Sequence, residues 1–405
     1  MASKTQSLKF KRTVNAPPAE VYRMFTNSTA LREWLCDAAQ ADPRKGGRVH
    51  LWWNVGYYTT GEYAAFVPDK KVAFTWRGQG DPDVTSVQVS LATKDGNTRV
   101  TLTHADVGAG KAWAATVQGF QHEWTKNLEN LQSVLETGHD LRFTLRPLLG
   151  VSGIEELNPK TAAKLGVPVS EGIRLDGVVD GLGAQAAGLQ KDDVLVSFGR
   201  KKVAGWGSVV GVLQTHRAGD EVKVIFYRGG EKRTTMLKLS PRPMPEVPAT
   251  AEALAEAVRK QYGDLDAELA QCFDGVSEDE TARRPASGEW SAKEIVAHLI
   301  IGERDTHAWI ADLIGGQERW TDSFIGNDLS RHRATAAIYA TLPALLEERK
   351  RNEAETVAML AALPAEFVAR KGSYWRLGYS QLSLADHTRE HFGQIRAAIE
   401  AARTQ

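Results

Sequence analysis

The sequence predicts a multidomain protein: an α+β unit first, a mostly-β unit in the middle, and an all-α, up-down four-helix bundle at the end. Three observations carry that expectation. A chain of 405 residues exceeds what one hydrophobic core commonly serves. Strand-like alternation and glycine-rich turns dominate up to about residue 240, and apolar residues at three-to-four spacing dominate beyond it. Between the two regimes Pro241, Pro243, Pro245 and Pro248 arrive together, which disfavours both a helix interior and a central strand.

Composition narrows the function classes. The hydrophobic fraction of 42% and charged fraction of 25% are those of ordinary globular proteins, and 50 basic residues balance 50 acidic ones. That balance offers no wholesale attraction for nucleic acid or anionic lipid. The opening "MASKTQSLKFKRTV" turns quickly into alternation without a signal-peptide core, and no run approaches the roughly 18 apolar residues of a membrane span, so a cytoplasmic location is expected. Cys36 and Cys272 lie far apart and are read as small buried hydrophobes rather than a disulfide or reactive thiols.

Residues 1–138 form the α+β unit. "VNAPPAEVYRMFTNSTALREWL" places paired prolines before an amphipathic helix at about 18–26 and a second short helix. "GGRVHLWW", "TTGEYAAFVPDKKVAFTWR" and "NTRVTLTHADVG" supply strands, and a helix over about 112–136 closes the unit. These residues resemble the activator of heat-shock protein 90 ATPase homologue family within the START-like (SRPBCC) superfamily, across about residues 7–137. The resemblance implies a helix-grip fold, an antiparallel sheet gripping a long helix over a cavity for apolar ligands. Trp34, Trp52, Trp53, Trp76, Trp113 and Trp124 are too many large rings for surface decoration. Two accounts stay open: the rings fill the core, or Trp53, Tyr58, Trp76 and Phe120 line a pocket for an apolar small molecule. His104, with no nucleophile beside it, is read as a packed residue.

Residues 139–241 form the mostly-β unit, with short strands in "GIRLDGVV", "DVLVSFG" and "EVKVIFYRGGEKRTTMLKL" and helical stretches at about 159–165 and 206–216. "LLGV", "AAGLQKDDVLVSFGRKKV" and "RAGDEVKVIFYRGG" resemble a PDZ domain of the HtrA-protease type, with Asp192-Asp193 standing where such domains carry Gly-Asp. The resemblance implies β-augmentation by a peptide C-terminus. Leu149, Gly150 and Val151 would form the carboxylate loop and pairing edge, and Val209, Val210 and Leu213 the wall of the side-chain pocket. The alternative is a groove filled by the chain itself. No serine-protease triad setting accompanies this unit.

After an extended linker over 242–251, residues 252–405 carry the four helical patterns. "DHTREHFGQI" sets His387, His391 and Gln394 on one helical stripe, because positions i, i+4 and i+7 share a face. Two imidazoles seldom hold a cation, so a third must come from another helix. In "EWSAKEIVAHL", Ser291 is a candidate N-cap and His298 lies two turns inside the helix. "EWSAKEIVAHL" and "DHTREHFGQI" resemble the DinB/YfiT-like superfamily, which implies His298, His387 and His391 as metal ligands. Three neutral imidazoles suit zinc or nickel, with iron or copper also compatible, and leave a coordination position open. Glu294, and less directly Asp305, are candidates to orient an imidazole, as is Gln394; a solvated face is the alternative. His307 and His332 match no ligand position and are expected at the surface. Trp375 and Tyr379, expected in the loop before the last helix, are candidates to cover the metal mouth or to pack.

Two functions remain open from the sequence. The first is a metal-dependent transferase or hydrolase acting with a low-molecular-weight thiol such as bacillithiol or mycothiol, as the DinB resemblance implies. The second is a non-catalytic adaptor or chaperone-regulating protein whose metal is structural or sensory. Expected partners are peptide or protein C-termini, an apolar small molecule in the START-like cavity and, as a further option, a second copy of the chain; nucleic acid and membrane are not expected.

Overall fold

Alternation of small and branched apolar residues with polar ones builds the first sheet of the computed structural model, which describes residues 5–286, 288–319 and 328–404. The N-terminal domain runs β1 (Thr5–Val14), α1 (Pro18–Thr26), α2 (Ser28–Trp34), β2 (Ala38–Ala41), β3 (Arg48–Trp52), β4 (Tyr58–Val67), β5 (Lys71–Gly78), β6 (Thr85–Lys94), β7 (Asn97–Gly108) and α3 (Ala114–Thr137). Its seven strands are antiparallel in the order β1-β7-β6-β5-β4-β3-β2. The long α3 buries Phe120, Trp124, Leu128, Leu131 and Leu135, a stripe at three-to-four spacing, into the core that the sheet supplies.

The middle domain runs α4 (Leu141–Thr144), β8 (Val151–Glu156), α5 (Pro159–Leu165), β9 (Ile173–Val178), α6 (Gly183–Ala186), β10 (Val194–Phe198), β11 (Lys201–Lys202), α7 (Trp206–Leu213), β12 (Glu221–Arg228) and β13 (Glu231–Lys238). The sheet order β13-β12-β10-β9-β8 leaves β8 at an end. Asp192 has φ +68°, the left-handed conformation in which glycine is easiest and Asp is tolerated, so the Gly-to-Asp departure keeps the same turn.

The C-terminal domain comprises α8 (Ala251–Gln271), α9 (Glu278–Ala282), α10 (Ala292–Gly315), α11 (Leu329–Ile338), α12 (Leu342–Ala361), α13 (Ala365–Val368), α14 (Lys371–Leu382) and α15 (Leu384–Arg403). Two apolar layers fill it. One contains Leu265, Leu269, Ile295, Ile300 and Phe392, the other Leu254, Val258, Ile310, Leu360 and Phe367. The bundle also buries a polar network: Tyr262 Oη and Thr356 Oγ1 both donate to Glu303, at 3.0 and 2.8 Å. Arg349 pairs with Asp266 and Glu353, and burial pushes the Glu353 carboxyl up to about 8. Among the described residues no helix is long and apolar enough to cross a membrane.

The segment through Gly138 and the segment from Pro245 onward pack into one compact unit, while His139–Met244 forms another. The first unit is held by buried charge. Glu318 meets Arg32 at 3.0 Å and Arg376 at 2.9 Å, and Trp309 Nε1 donates to it at 3.0 Å. Burial works to raise the Glu318 pKa, and the two guanidiniums outweigh it and hold the carboxylate low. Nearby, the buried Glu33 accepts from Ser373 Oγ and faces Arg23 at 3.5 Å; here burial prevails and raises its pKa. Asn27 Nδ2 donates to the Gly316 carbonyl at 2.9 Å.

That packing revises two expectations. Trp375 and Tyr379 are not in a loop: they stack, 5.2 Å apart, on α14, which packs against the N-terminal domain. Gly372 and Gly378 weaken the helical signal of this segment. They are needed there, because a Cβ at 372 would come within 2.7 Å of Val134 and one at 378 would collide with Val247. The second half of the proline-rich stretch is likewise packed, with Tyr374 Oη donating to the Pro248 carbonyl at 2.8 Å.

Inside the helix-grip core His104 is fully buried. The Trp124 indole, a donor only, gives its hydrogen to His104 Nδ1 at 3.0 Å, so Nε2 carries the ring proton and donates to Thr85 Oγ1 at 2.7 Å. The Thr85 hydroxyl passes its own hydrogen to the Trp76 carbonyl at 3.1 Å. Desolvation lowers the His104 pKa to about 4. An unfolded imidazole therefore binds a proton at a pH where the folded one does not. The stability this contributes is fully present above about pH 6.5 and is lost as pH falls through about 4, a difference of about 3 kcal/mol. Urea unfolding of the wild-type chain at pH 7 and 4.5 should show this loss, and His104→Gln should flatten that part of the slope.

Candidate metal centre

The site begins with a helix start. Ser291 Oγ accepts from the Glu294 backbone N–H at 3.3 Å, and Glu294 Oε2 accepts from the Ser291 N–H at 2.9 Å, a reciprocal cap that fixes where α10 begins. Arg284 grips the same carboxylate through Nε at 2.9 Å. His298 follows two turns on, half-buried, with Trp290 tilted against its ring at 5.1 Å. From the facing helix α15, His387 is exposed and His391 is 6% exposed.

The ligand nitrogens of His298, His387 and His391 all lie within 4.8 Å of one another. His391 Nε2 stands 3.1 Å from His387 Nε2. Two nitrogens bound to one ion at 2.0–2.1 Å would be about 3.3 Å apart at a tetrahedral angle and about 2.9 Å at a right angle, so the pair already has ligand spacing. Gln394 Oε1 lies 2.9 Å from His391 Nδ1 and can only accept, which puts the ring proton on Nδ1 and turns the Nε2 lone pair toward the other imidazoles. Burial lowers the His391 pKa, against the Gln394 hydrogen bond, so the neutral donor form is favoured. This donor set fits a borderline divalent cation.

A pocket of about 930 Å³ opens over the three imidazoles, bounded further by Trp290, Ile295 and the continuation of α15. The Glu294 oxygens serve the helix cap and Arg284 rather than an imidazole, and it is Gln394 that bonds to His391. Asp305 is bound to Arg331 at 2.6 Å. His307 is packed, not superficial, with Nε2 2.9 Å from Thr356 Oγ1. His332 is likewise fully buried rather than at the surface, edge-on to Trp290 at 4.5 Å and 5.3 Å from the His298 ring. Its helix shows little apolar periodicity, so the sequence carries no signal for that placement.

The other assigned residues fall into two groups. In the N-terminal domain Trp76 meets Phe120 at 6.5 Å and Trp53 at 6.3 Å, and His104 stacks on Phe120 at 4.1 Å, which makes these rings one continuous core cluster. Tyr58 is 41% exposed beside His50. In the middle domain Leu149, Val209 and Leu213 are buried, whereas Val151 and Val210 are half-exposed. Gly150 has φ +88°, and a Cβ there would sit 2.7 Å from that of Leu182. Its carbonyl accepts from the Val179 N–H at 2.9 Å, and Leu148 and Ser240 bond reciprocally, which pins the loop ahead of β8.

Three segments of the chain match known families. Residues 15–136 match the activator of Hsp90 ATPase homolog 1-like protein family, 147–239 the PDZ domain family and 261–395 the DinB superfamily. A serine protease Do-like HtrA of Lactococcus lactis subsp. cremoris is 25% identical over 186 residues, 42% of this chain and 45% of that protein. The activator of 90 kDa heat shock protein ATPase homolog 1 of Mus musculus is 25% identical over 127 residues, 31% of this chain and 36% of its own length. The chain thus spans less than half of these relatives. The solution structure of the Aha1 dimer from Colwellia psychrerythraea is similar at 19% identity, covering 32% of this chain and 96% of that one, with a TM-score of 0.29.

Because Gln394 fixes the donor tautomer of His391, Gln394→Ala should weaken zinc binding about 10- to 100-fold without unfolding the bundle. Competition titration with a chromogenic chelator, alongside circular dichroism, checks both parts.

Proposed function

Since the chain is a three-domain fusion of an Hsp90-ATPase-activator-like domain, a PDZ domain and a DinB-superfamily bundle, we propose that the bundle is a metal-dependent catalytic centre for thiol transfer or hydrolysis. The observation that carries this reading is the convergence of three imidazole nitrogens within 4.8 Å at the wall of an open pocket. His298, His387 and His391 would hold zinc or nickel, or else iron or copper, and such an ion supplies Lewis acidity to a thiol or water entering from the pocket. Gln394 keeps the His391 proton on Nδ1. Trp290 covers His298 from one side and limits the approach of water. Glu289, an exposed carboxylate at the pocket, is the group we assign to accept a proton from the entering nucleophile. A low-molecular-weight thiol is the co-substrate this reading calls for.

A second reading, a binding protein whose metal is structural or sensory, draws support from the middle domain. β8 pairs with β9 on one side and ends the sheet, as β-augmentation by a peptide C-terminus requires. The half-buried Val151 and Val210 would then meet peptide side chains, and the loop at Leu149 and Gly150 the terminal carboxylate. In the N-terminal domain, Trp53 and Tyr58 would form the open end of a site for an apolar small molecule. Regulation of a chaperone ATPase and pairing with a second copy belong to this reading as well.

Elemental analysis after zinc or nickel loading should give one equivalent per chain for the wild type. His298→Ala, His387→Ala and His391→Ala should each lose most of it, and metal should raise the melting temperature of the wild type alone. Zinc-independent melting would contradict the catalytic reading. In the PDZ groove, C-terminal peptides that bind should lose most of their affinity on amidation of the terminal carboxylate; fluorescence anisotropy with a peptide panel reads this directly.

A further inference from the structure

The helical stripe that begins with the imidazoles does not end with them. His387, His391 and Gln394 are followed at the same spacing by Ala398 and Ala401, with Ala397 beside them, and all six line one pocket. Pro285, Gly288, Glu289, Trp290 and Ile295 line the rest of the pocket, with Trp290 against the His298 ring. Along α15 itself polarity is segregated: two imidazoles and the Gln394 amide stand toward its start and three alanines toward its end, and the Glu289 carboxylate is the charged group among the other lining residues. At 1.5 Å per residue the alanine floor reaches about 15 Å beyond His391 along α15. The volume of about 930 Å³ greatly exceeds what a metal ion and a water or small thiol need, and it lies near the upper end for small-molecule sites. Small side chains at 397, 398 and 401 keep this floor low, where any larger residue would fill it.

We propose that this groove binds the unbranched apolar chain of an amphiphilic ligand, an acyl or alkyl tail, whose polar head lies against the three imidazoles. The proposal rests on the metal-site reading for its head group, but the tail half stands on the groove alone. A flexible chain gains about fourfold in affinity for each methylene it buries, so length is the discriminating variable. A compact polar substrate would leave the alanine floor without a contact.

The test uses the full chain and two probe series. Zinc-loaded protein is titrated calorimetrically with acetyl, hexanoyl and decanoyl hydroxamic acids, and metal-free protein with ethanol, hexanol and decanol. Affinity should climb steeply with chain length in both series. Ala401→Trp and Ala397→Trp, both at accessible positions, should remove most of the gain for the long chains and leave acetohydroxamate affinity and zinc content unchanged. Affinity that is flat with chain length, or long-chain binding that survives both tryptophan variants, overturns the proposal. Failure of the metal reading looks different: zinc and the hydroxamate head-group contribution vanish, and the decanol series still reports on the groove.

Discussion

The register of the last helix constrains everything that the bundle can do. One face of α15 carries His387, His391, Gln394, Ala398 and Ala401 in succession, and the reciprocal cap of Ser291 and Glu294 sets α10 so that His298 meets that face. A shift of one residue on either helix would swing an imidazole by about 100°. The Gln394 contact adds a second condition, since it decides which nitrogen of His391 faces inward. Position thus depends on the α15 stripe and the α10 cap together, and the tautomer on Gln394.

That precision needs a rigid frame, and the frame is larger than the bundle. Glu318, bound between Arg32 and Arg376, and Glu33, held by Ser373 and Arg23, join the N-terminal domain to α14 and to the chain beyond α10. Leaving one member of such a buried pair alone costs about 3–5 kcal/mol, so the two domains have a strong reason to remain together. The helix-grip domain and the helical bundle are one body, although His139–Met244 separates them in sequence.

Much of this was legible from the amino-acid order. Apolar spacing marks α8, α10, α12 and α15, the Ser-x-x-Glu pattern marks the start of α10, and the His-x-x-x-His spacing marks the ligand face. What escaped has physical reasons. α14 was hidden by Gly372 and Gly378, which lower helix propensity and are explained only by long-range contacts to Val134 and Val247. Nothing in the sequence marks His332 as buried, because burial there depends on a neighbour, Trp290, from a distant segment. Glu294 looked like a partner for an imidazole because helical spacing puts it one turn before His298; its competing bonds to the helix cap and to Arg284 arise from a loop that periodicity does not describe. Whether the rings at Trp53, Trp76 and Phe120 fill a core or leave a cavity depends on distances of a few ångströms, which residue type alone does not determine.

Metal-dependent chemistry in the bundle requires three side chains to share one ion. X-ray absorption at the zinc edge of the loaded full-length chain measures this most directly. Three imidazole nitrogens at about 2.0–2.1 Å in the wild type, with most of the zinc signal gone from His298→Ala, are the expected result. Sulfur or carboxylate donors alone around the zinc, or a signal unchanged by loss of His298, would contradict it.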